Sequence, residues 1–179
     1  KVQLGEIVSW LRDHVPADSI VTNGAGNYAI WVHRYWRFSR FGTQVAPIAG
    51  SMGYGLPGAI AAKLEYPDRT VICFAGDGCF QMTMQEFGTS IQSGAPIIVI
   101  VVDNGIYGTI RMHQERSYPG RVASTTLENP DFAGFARLYG GHGETVTETS
   151  EFVPAFQRAI GSGLPSVLHV KTDPEAITP

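Results

Sequence analysis

Two oxygen-bearing side chains in the middle of the chain follow stretches of apolar residues. Residues 70–75 run into Gly76–Gly78, which contains Asp77, and residues 97–102 run into a segment that contains Asn104. Apolar runs of this length are typical of buried strands in a parallel sheet, and such strands end at the edge where open α/β sheets bind ligands. We therefore expect Asp77 and Asn104 to lie close together in a ligand site.

A carboxylate and an amide at this edge would suit a magnesium ion. Mg²⁺ takes about six oxygen ligands and often shares them with phosphates, and the backbone carbonyl of Ile106, just beyond Asn104, would add a third protein ligand. Gly76 and Gly78 would let the backbone approach phosphate oxygens, and the N–H groups that open a helix at Cys79 would face an anion favourably. The residues alone leave a second interpretation open, in which the two side chains only cap a helix and a loop.

Segments with helical periodicity alternate with short apolar segments along the whole chain. Helices are predicted at about residues 3–14, 30–32, 59–64, 80–91, 131–138 and 151–160, and strands at 19–22, 70–75, 97–102, 143–146 and 166–170. The aromatic and basic residues 35–41 fit a short strand or a wall of the site, and the polar residues 117–129 fit a mobile segment over it. The alternation predicts an α/β fold with an open, mainly parallel sheet and helices on both faces, in a single domain over residues 1–179.

The overall composition narrows the classes of partner. Apolar residues make up 44% of the chain and charged residues 16%, which favours a compact globular protein. A net charge of −3 and a pI near 5.9 argue against nucleic acid as a partner, and no run approaches the roughly 20 apolar residues of a membrane helix. Cys73 and Cys79 provide no disulfide framework and fit a cytoplasmic setting. The lack of an initiator Met and the Pro-containing end lead us to expect a piece of a longer polypeptide.

The segment from Gly76 to Asn104 resembles the magnesium and diphosphate motif of thiamine diphosphate enzymes. The resemblance implies that the cofactor is thiamine diphosphate and that Asp77, Asn104 and the carbonyl of Ile106 hold Mg²⁺. Most members have Asn or Ser just before the second ligand, whereas this chain has Asp103, which adds a negative charge near the metal. The resemblance also implies cofactor contacts at Gly76, Gly78, Cys79, Ile106 and Tyr107.

Two further segments resemble the same family, in its acetolactate synthase and pyruvate oxidase group. Residues 50–57 resemble the segment under the bent cofactor, which implies that Met52 props the bend and that the Gly50 carbonyl accepts a hydrogen bond from the cofactor's 4′-amino group. Taken alone, Met52 fits core packing better than a cofactor contact. Residues 22–28 resemble a turn that binds the diphosphate, which implies contacts at Ala25, Gly26, Asn27 and Tyr28.

A dinucleotide-binding domain is a less favoured interpretation of the glycine-rich segments. Residues 24–29 fit the pattern G-x-G-x-x-A and residues 53–58 fit G-x-G-x-x-G, either of which can bind a pyrophosphate. The first pattern lacks the acidic residue expected at the end of the next strand, and the second contains Pro57 and follows no convincing strand. Walker A and G-x-S-x-G patterns are absent, which argues against nucleotide hydrolysis and serine hydrolysis.

The resemblance implies a domain of a 2-oxo acid decarboxylase or carboligase. Its partners would be a small 2-oxo acid and a pyrimidine-binding domain that this chain lacks, which in the family comes from another subunit of a homodimer or homotetramer. FAD could serve the full-length enzyme, although nothing in this domain supports it. His113 follows the metal loop, where acetolactate synthases usually have Trp, so it is a candidate site residue or a surface histidine.

The missing domain also sets an expectation for activity. In the family it carries a glutamate that contacts the pyrimidine ring, and no residue of this chain matches it, so we expect little or no turnover by this chain alone. The alternatives are a cofactor-binding subunit of a split enzyme and a non-catalytic relative that keeps the fold.

Overall fold

A six-stranded sheet in which neighbouring strands are all parallel forms the centre of the protein. The computed structural model describes residues 1–179, and the strand order is β2-β1-β3-β4-β6-β5. This arrangement confirms the predicted open α/β sheet. The strands are β1 (Ile20–Asn23), β2 (Gln44–Val45), β3 (Val71–Gly76), β4 (Ile98–Asp103), β5 (His142–Val146) and β6 (Ser166–Lys171).

Helices cover both faces of the sheet. One apolar cluster joins α1, α2 and α8 to one face, and a second joins α3, α5 and α7 to the other. No helix is both long and apolar enough to cross a lipid bilayer. The helices are α1 (Leu4–His14), α2 (Asn27–Tyr35), α3 (Gly55–Glu65), α4 (Asp77–Gln81), α5 (Phe87–Gln92), α6 (Gly108–Ser117), α7 (Phe132–Leu138) and α8 (Thr149–Ser162).

The continuous apolar sequences of β3 and β4 follow from this two-sided cover. Every residue of both strands is buried. Along β3, Ile72 and Phe74 belong to the cluster with α1, α2 and α8, whereas Val71, Cys73 and Ala75 belong to the opposite cluster. Successive side chains of a strand point to opposite faces, so a strand covered on both sides needs apolar residues at every position.

Two sequence-based predictions of local structure are wrong. The single helix expected over residues 80–91 is divided into α4, a 3₁₀ turn at Met84–Glu86, and α5, because Thr83 departs from helical geometry with a φ of −139° and a ψ of 13°. Of the two interpretations left open for residues 35–41, a strand is absent and none of these residues lines the cavity described below; the sheet instead contains β2, which is too short to show a strand periodicity.

The sheet order places a crevice between β1 and β3. From β1 the chain crosses first to β2 on one side and then to β3 on the other, so the direction of the connections reverses at this point. Beyond the carboxyl ends of these strands begin α2, at Asn27, and α4, at Asp77. A reversal of this kind keeps the two connections apart and leaves room for a ligand between them.

The close approach of α7 to β5 yields a test of this packing. A Cβ atom added at Gly143 would lie 2.1 Å from the carbonyl oxygen of Ala133, which belongs to the α7 backbone and has little freedom to move. We expect Gly143→Ala to lower the free energy of unfolding by about 2 kcal/mol or more, because the helix and the strand must separate.

Gly161→Ala in α8 is the matched control, since a Cβ atom there meets nothing within 4 Å. That variant should be neutral or stabilised by up to about 1 kcal/mol through helix propensity. Urea unfolding of the three proteins measures both effects, and equal midpoints for wild type and Gly143→Ala would contradict the packing described.

Candidate cofactor site

A cavity of about 270 Å³ lies at the carboxyl ends of β1, β3 and β4. It is lined by 24 residues, of which 13 are hydrophobic, so a few polar groups converge in largely apolar surroundings, as in small-molecule sites. The three sequence segments singled out above all reach it. Those of its lining residues that the sequence indicated are Ala25, Gly26, Asn27, Tyr28, Gly50, Met52, Gly76, Asp77, Gly78, Cys79, Asn104, Ile106 and Tyr107.

His113 does not line this cavity. It lies on the exposed side of α6, whereas residues 107–110, at the start of that helix, form part of the wall. A helix rises about 1.5 Å per residue, so only its first turn stays at the edge of the sheet. The suggestion that His113 borders the pocket is therefore not supported by the geometry of this domain.

Several lining residues were not indicated by the sequence. They come from the two ends of the chain, from α2, from the end of β4 and from the start of α6, and no local pattern marks them as lining residues. Only the tertiary structure brings these segments to the crevice. They are Val2, Gln3, Leu4, Trp31, Val102, Gly108, Thr109, Ile110, Thr172, Ala176 and Ile177.

Asn27 presents a free hydrogen-bond donor at the cavity. Its side chain is buried, and its Oδ1 accepts a hydrogen bond of 2.7 Å from the hydroxyl of Thr109. Its Nδ2 has no partner among the protein atoms. Buried polar atoms are nearly always satisfied, so this amide nitrogen is suited to an acceptor group of a bound molecule, and Thr109 holds it in that orientation.

Glycines bring the backbone close to the aromatic walls of the cavity. A Cβ atom at Gly78 would lie 2.5 Å from the Tyr107 ring, and one at Gly76 would lie 2.9 Å from the Tyr28 ring. The Tyr28 hydroxyl in turn accepts a hydrogen bond of 3.0 Å from the Gly24 N–H and lies 3.3 Å from the Cys79 sulfur. These contacts leave no room for larger side chains at either glycine.

Asp77 is a buried carboxylate with three hydrogen-bond donors. Its Oδ1 accepts from the Gly78 N–H at 2.9 Å, and its Oδ2 accepts from the Gly105 N–H at 2.9 Å and from Asn129 Nδ2 at 2.7 Å. Burial raises the pKa of Asp77 to about 6, and the charge on Asp103 acts in the same direction, whereas the three hydrogen bonds oppose the shift. An ion that neutralises this carboxylate would therefore be bound favourably.

Asp103 does not line the cavity, and its Oδ2 faces β6. Burial opposes ionisation of its carboxyl group, but hydrogen bonds from His169, Lys171 and Asn129 hold its pKa well below the usual value. The distances from Asp103 Oδ2 are 2.7 Å to His169 Nε2 and 2.5 Å to Lys171 Nζ. The extra negative charge noticed in the sequence is thus paired with a cation on the neighbouring strand.

The candidate metal ligands at the strand ends are all oxygen atoms. Asn104 lines the cavity, and its Oδ1 accepts a weak hydrogen bond of 3.2 Å from the Ile106 N–H. No group of three or more His, Cys, Asp and Glu side chains is placed to hold a metal ion. One carboxylate, one amide and a backbone carbonyl are hard ligands, which suit Mg²⁺ together with oxygens from a second molecule and do not suit a structural zinc ion.

Comparison with known proteins identifies the family. The model for the thiamine pyrophosphate enzyme C-terminal TPP-binding domain matches residues 24–170. The chain belongs to this family of thiamine pyrophosphate enzymes. The large subunit of acetolactate synthase isozyme 2 from Escherichia coli is 34% identical over 169 residues, which cover 93% of this chain and 31% of that protein. The mitochondrial acetolactate synthase catalytic subunit from Saccharomyces cerevisiae is 32% identical over 155 residues, which cover 86% of this chain and 23% of that protein.

A solved structure of a thiamine diphosphate-dependent enzyme has the same fold as this domain. The thiamine diphosphate-dependent 4-hydroxybenzoylformate decarboxylase from Rhodococcus jostii RHA1 superposes with a TM-score of 0.88 and 27% sequence identity. The superposition covers 96% of this chain and 32% of that one. The chain therefore spans about a third of the length of this structure and of the first curated relative.

The raised pKa of Asp77 predicts a pH-dependent stability in the absence of metal. The pKa is 3.8 before burial and about 6 in the folded protein, so the folded state binds more protons between these values and its stability falls as the pH rises. Relative to Asp77→Ala, the wild type should gain about 1 kcal/mol of unfolding free energy between about pH 7.5 and about pH 5.

Urea unfolding with a metal chelator at the two pH values measures this difference. Asp68→Ala, at an exposed aspartate before β3, is the matched control and should follow the wild type. A wild-type advantage that stays constant or shrinks on acidification would contradict the assignment of a raised pKa to Asp77.

Proposed function

We propose that this domain binds thiamine diphosphate through Mg²⁺ as part of a 2-oxo acid decarboxylase or carboligase resembling acetolactate synthase. The observation that carries the proposal is the convergence of three separate segments, 25–28, 50–52 and 76–79, with Asn104 on one cavity. A dinucleotide site would need an acidic residue at the end of β2, and that strand is followed by Ala46 and Pro47.

The residues at the strand ends fit a metal bound to a diphosphate. Asp77, Asn104 and the backbone carbonyl of Ile106 would hold Mg²⁺, and phosphate oxygens would take further positions around the ion. Asp77 has three hydrogen-bond donors for about four acceptor directions, which leaves one direction for a metal. Its burial supports the same role, because a divalent cation offsets the cost of the buried charge.

The walls of the cavity fit the rest of the cofactor. The unpartnered Nδ2 of Asn27 would donate to a diphosphate oxygen, and the backbone at Gly26, Gly76 and Gly78 would allow close approach. Tyr28, Cys79 and Tyr107 would pack against the cofactor, as would Ala25. Together these groups supply the donor, the close backbone and the apolar wall that an anionic, partly aromatic molecule requires.

Met52 and Gly50 would act on the shape of the cofactor. Met52 is half-buried at the cavity, where its side chain would support the bend, and Gly50 would accept a hydrogen bond from the 4′-amino group through its carbonyl. Bound thiamine diphosphate supplies the electron sink that allows a 2-oxo acid to lose CO₂. The contribution of this chain is to bind the cofactor and to hold its orientation.

The remainder of the enzyme would lie in other segments. We propose a pyrimidine-binding domain as the partner, an assembly as a homodimer or homotetramer, and a cytoplasmic location, with which the free cysteines Cys73 and Cys79 are compatible. The same partner domain could belong to a separate subunit of a split enzyme. FAD is not part of the proposal for this domain.

Thermal unfolding with cofactor and metal tests the proposed site. Thiamine diphosphate with Mg²⁺ should raise the melting temperature, since a ligand at a hundred times its Kd stabilises a folded protein by about 2.7 kcal/mol. Asp77→Ala should abolish the shift because it removes the only carboxylate among the proposed ligands. Asp68→Ala should keep the shift in full, and an equal shift in Asp77→Ala and wild type would refute the assignment of Asp77.

Turnover by the chain alone is expected to be negligible. The group that contacts the pyrimidine ring belongs, by resemblance, to a domain outside residues 1–179, so cofactor binding and catalysis should separate. Carbon dioxide release from pyruvate, measured with saturating cofactor and Mg²⁺, should match that of the Asp77→Ala variant. Clear decarboxylation by the wild-type chain would show that the missing domain is not required.

A further inference from the structure

Asn129 lies between two carboxylates that belong to neighbouring strands. Its Nδ2 donates to Asp77 Oδ2 and to Asp103 Oδ1, with a distance of 2.7 Å in both cases. An amide nitrogen carries two hydrogens, so each carboxylate receives one. Its Oδ1 accepts a hydrogen bond of 2.9 Å from Gln81 Nε2. The two carboxylates fix which end of the amide faces them, because the reverse orientation would place three oxygen atoms together, and the bond from Gln81 fits the same orientation.

The loop that carries Asn129 is attached to the edge of the sheet. Thr125 accepts a hydrogen bond of 2.8 Å from the Tyr107 N–H, and the Leu127 N–H donates to the Gly105 carbonyl at 2.7 Å. These bonds join the loop directly to the segment that follows β4. The position of Asn129 is therefore set by backbone hydrogen bonds and not only by its own side chain.

The hydrogen bonds around Asp77 distinguish its two oxygen atoms. Oδ2 has two donors, Asn129 and Gly105, and an ionised oxygen accepts about two hydrogen bonds. Oδ1 has one donor, the Gly78 N–H, and so keeps one acceptor direction. Because Asp77 lines the cavity, the oxygen available to a ligand is Oδ1, and the bond from Asn129 maintains this difference.

Two side chains of β6 donate hydrogen bonds to the other oxygen of Asp103. The strands β4 and β6 pair Asp103 with Lys171 and Val101 with His169, so both basic side chains reach Asp103 Oδ2. With the Gly105 N–H and Asn129 on Oδ1, all four acceptor directions of this carboxylate are used. Asp103 is therefore a fixed acceptor against which Asn129 is held.

We propose that Asn129 is a positioning residue, which orients the Asp77 carboxylate for metal binding by bridging it to Asp103. The proposal rests on the proposed function of the site. Without the bridge, the two buried carboxylates keep only the Gly105 N–H as a shared donor, and Asp77 can rotate away from the orientation that leaves Oδ1 available. Asp103 is the second support of the bridge.

Manganese binding tests the proposal independently of catalysis. The probe is Mn²⁺ at saturating thiamine diphosphate, with the free ion measured by electron paramagnetic resonance, and the unfolding free energy is measured in parallel. Asn129→Leu keeps a similar volume without a donor, and it should weaken Mn²⁺ binding about tenfold or more, the usual effect of removing a hydrogen-bond partner of a metal ligand. Asn129→Ser, with one hydroxyl proton, should give an intermediate loss and serves as the second variant if the Leu variant does not fold.

Gln114→Leu is the matched control for loosening of the loop. Gln114 holds the same loop through two hydrogen bonds to Ala123 and touches neither carboxylate. This variant should bind Mn²⁺ as the wild type does, even if it is somewhat less stable. A loss of affinity equal to that of Asn129→Leu would mean that loop order, and not the bridge, is responsible.

Measurements on the wild type distinguish failure of the proposed cofactor site from failure of the role proposed for Asn129. If the wild-type chain binds no Mn²⁺ with thiamine diphosphate, the proposed function fails and the role of Asn129 fails with it. If the wild type binds Mn²⁺ and folded Asn129 variants bind it with equal affinity, the site stands and only the positioning role is refuted.

Discussion

A charged side chain held at the buried end of a parallel strand is the constraint on which the site depends. Asp77 is 3% exposed, and a carboxylate removed from water to this extent is costly unless donors surround it. Two of its donors are backbone N–H groups of the segments that follow β3 and β4, and the third is Asn129. The carboxylate therefore joins three separate parts of the chain at one edge of the sheet, and any displacement of β3 relative to β4 would break this arrangement.

The covered sheet makes such precision possible. Because both faces of β3 and β4 are packed against helices, these strands have no freedom to slide, and the turns beyond them keep their positions. The reversal of chain direction at β1 and β3 then opens a crevice without disturbing the core. A cofactor in this crevice would need few polar side chains, since the backbone at Gly26, Gly76 and Gly78 lines the cavity.

Asp103 illustrates how the effect of one residue depends on distant neighbours. Taken alone, a carboxylate next to the proposed metal ligand Asn104 would alter the charge of the site. In the folded protein its Oδ2 faces His169 and Lys171 on β6, and its Oδ1 shares Asn129 with Asp77. Lys171 on the neighbouring strand therefore pairs with the charge of Asp103, and the Asp103 carboxylate accepts a hydrogen bond from the same Asn129 that contacts Asp77.

The sequence by itself determined the parts of this protein that depend on local patterns. Unbroken apolar runs identified β3 and β4, and the turn residues after them identified Asp77 and Asn104, since strand periodicity and turn chemistry act over a few neighbouring positions. Only the tertiary structure decided two features of local structure, which are the break in the helix at Thr83 and the short strand β2. It also decided the make-up of the site: His113 is exposed, both chain ends line the cavity, and Asn129 bridges two carboxylates. Asn129 is far along the chain from Asp77, and their contact exists because the loop pairs with the segment after β4, which no local pattern encodes.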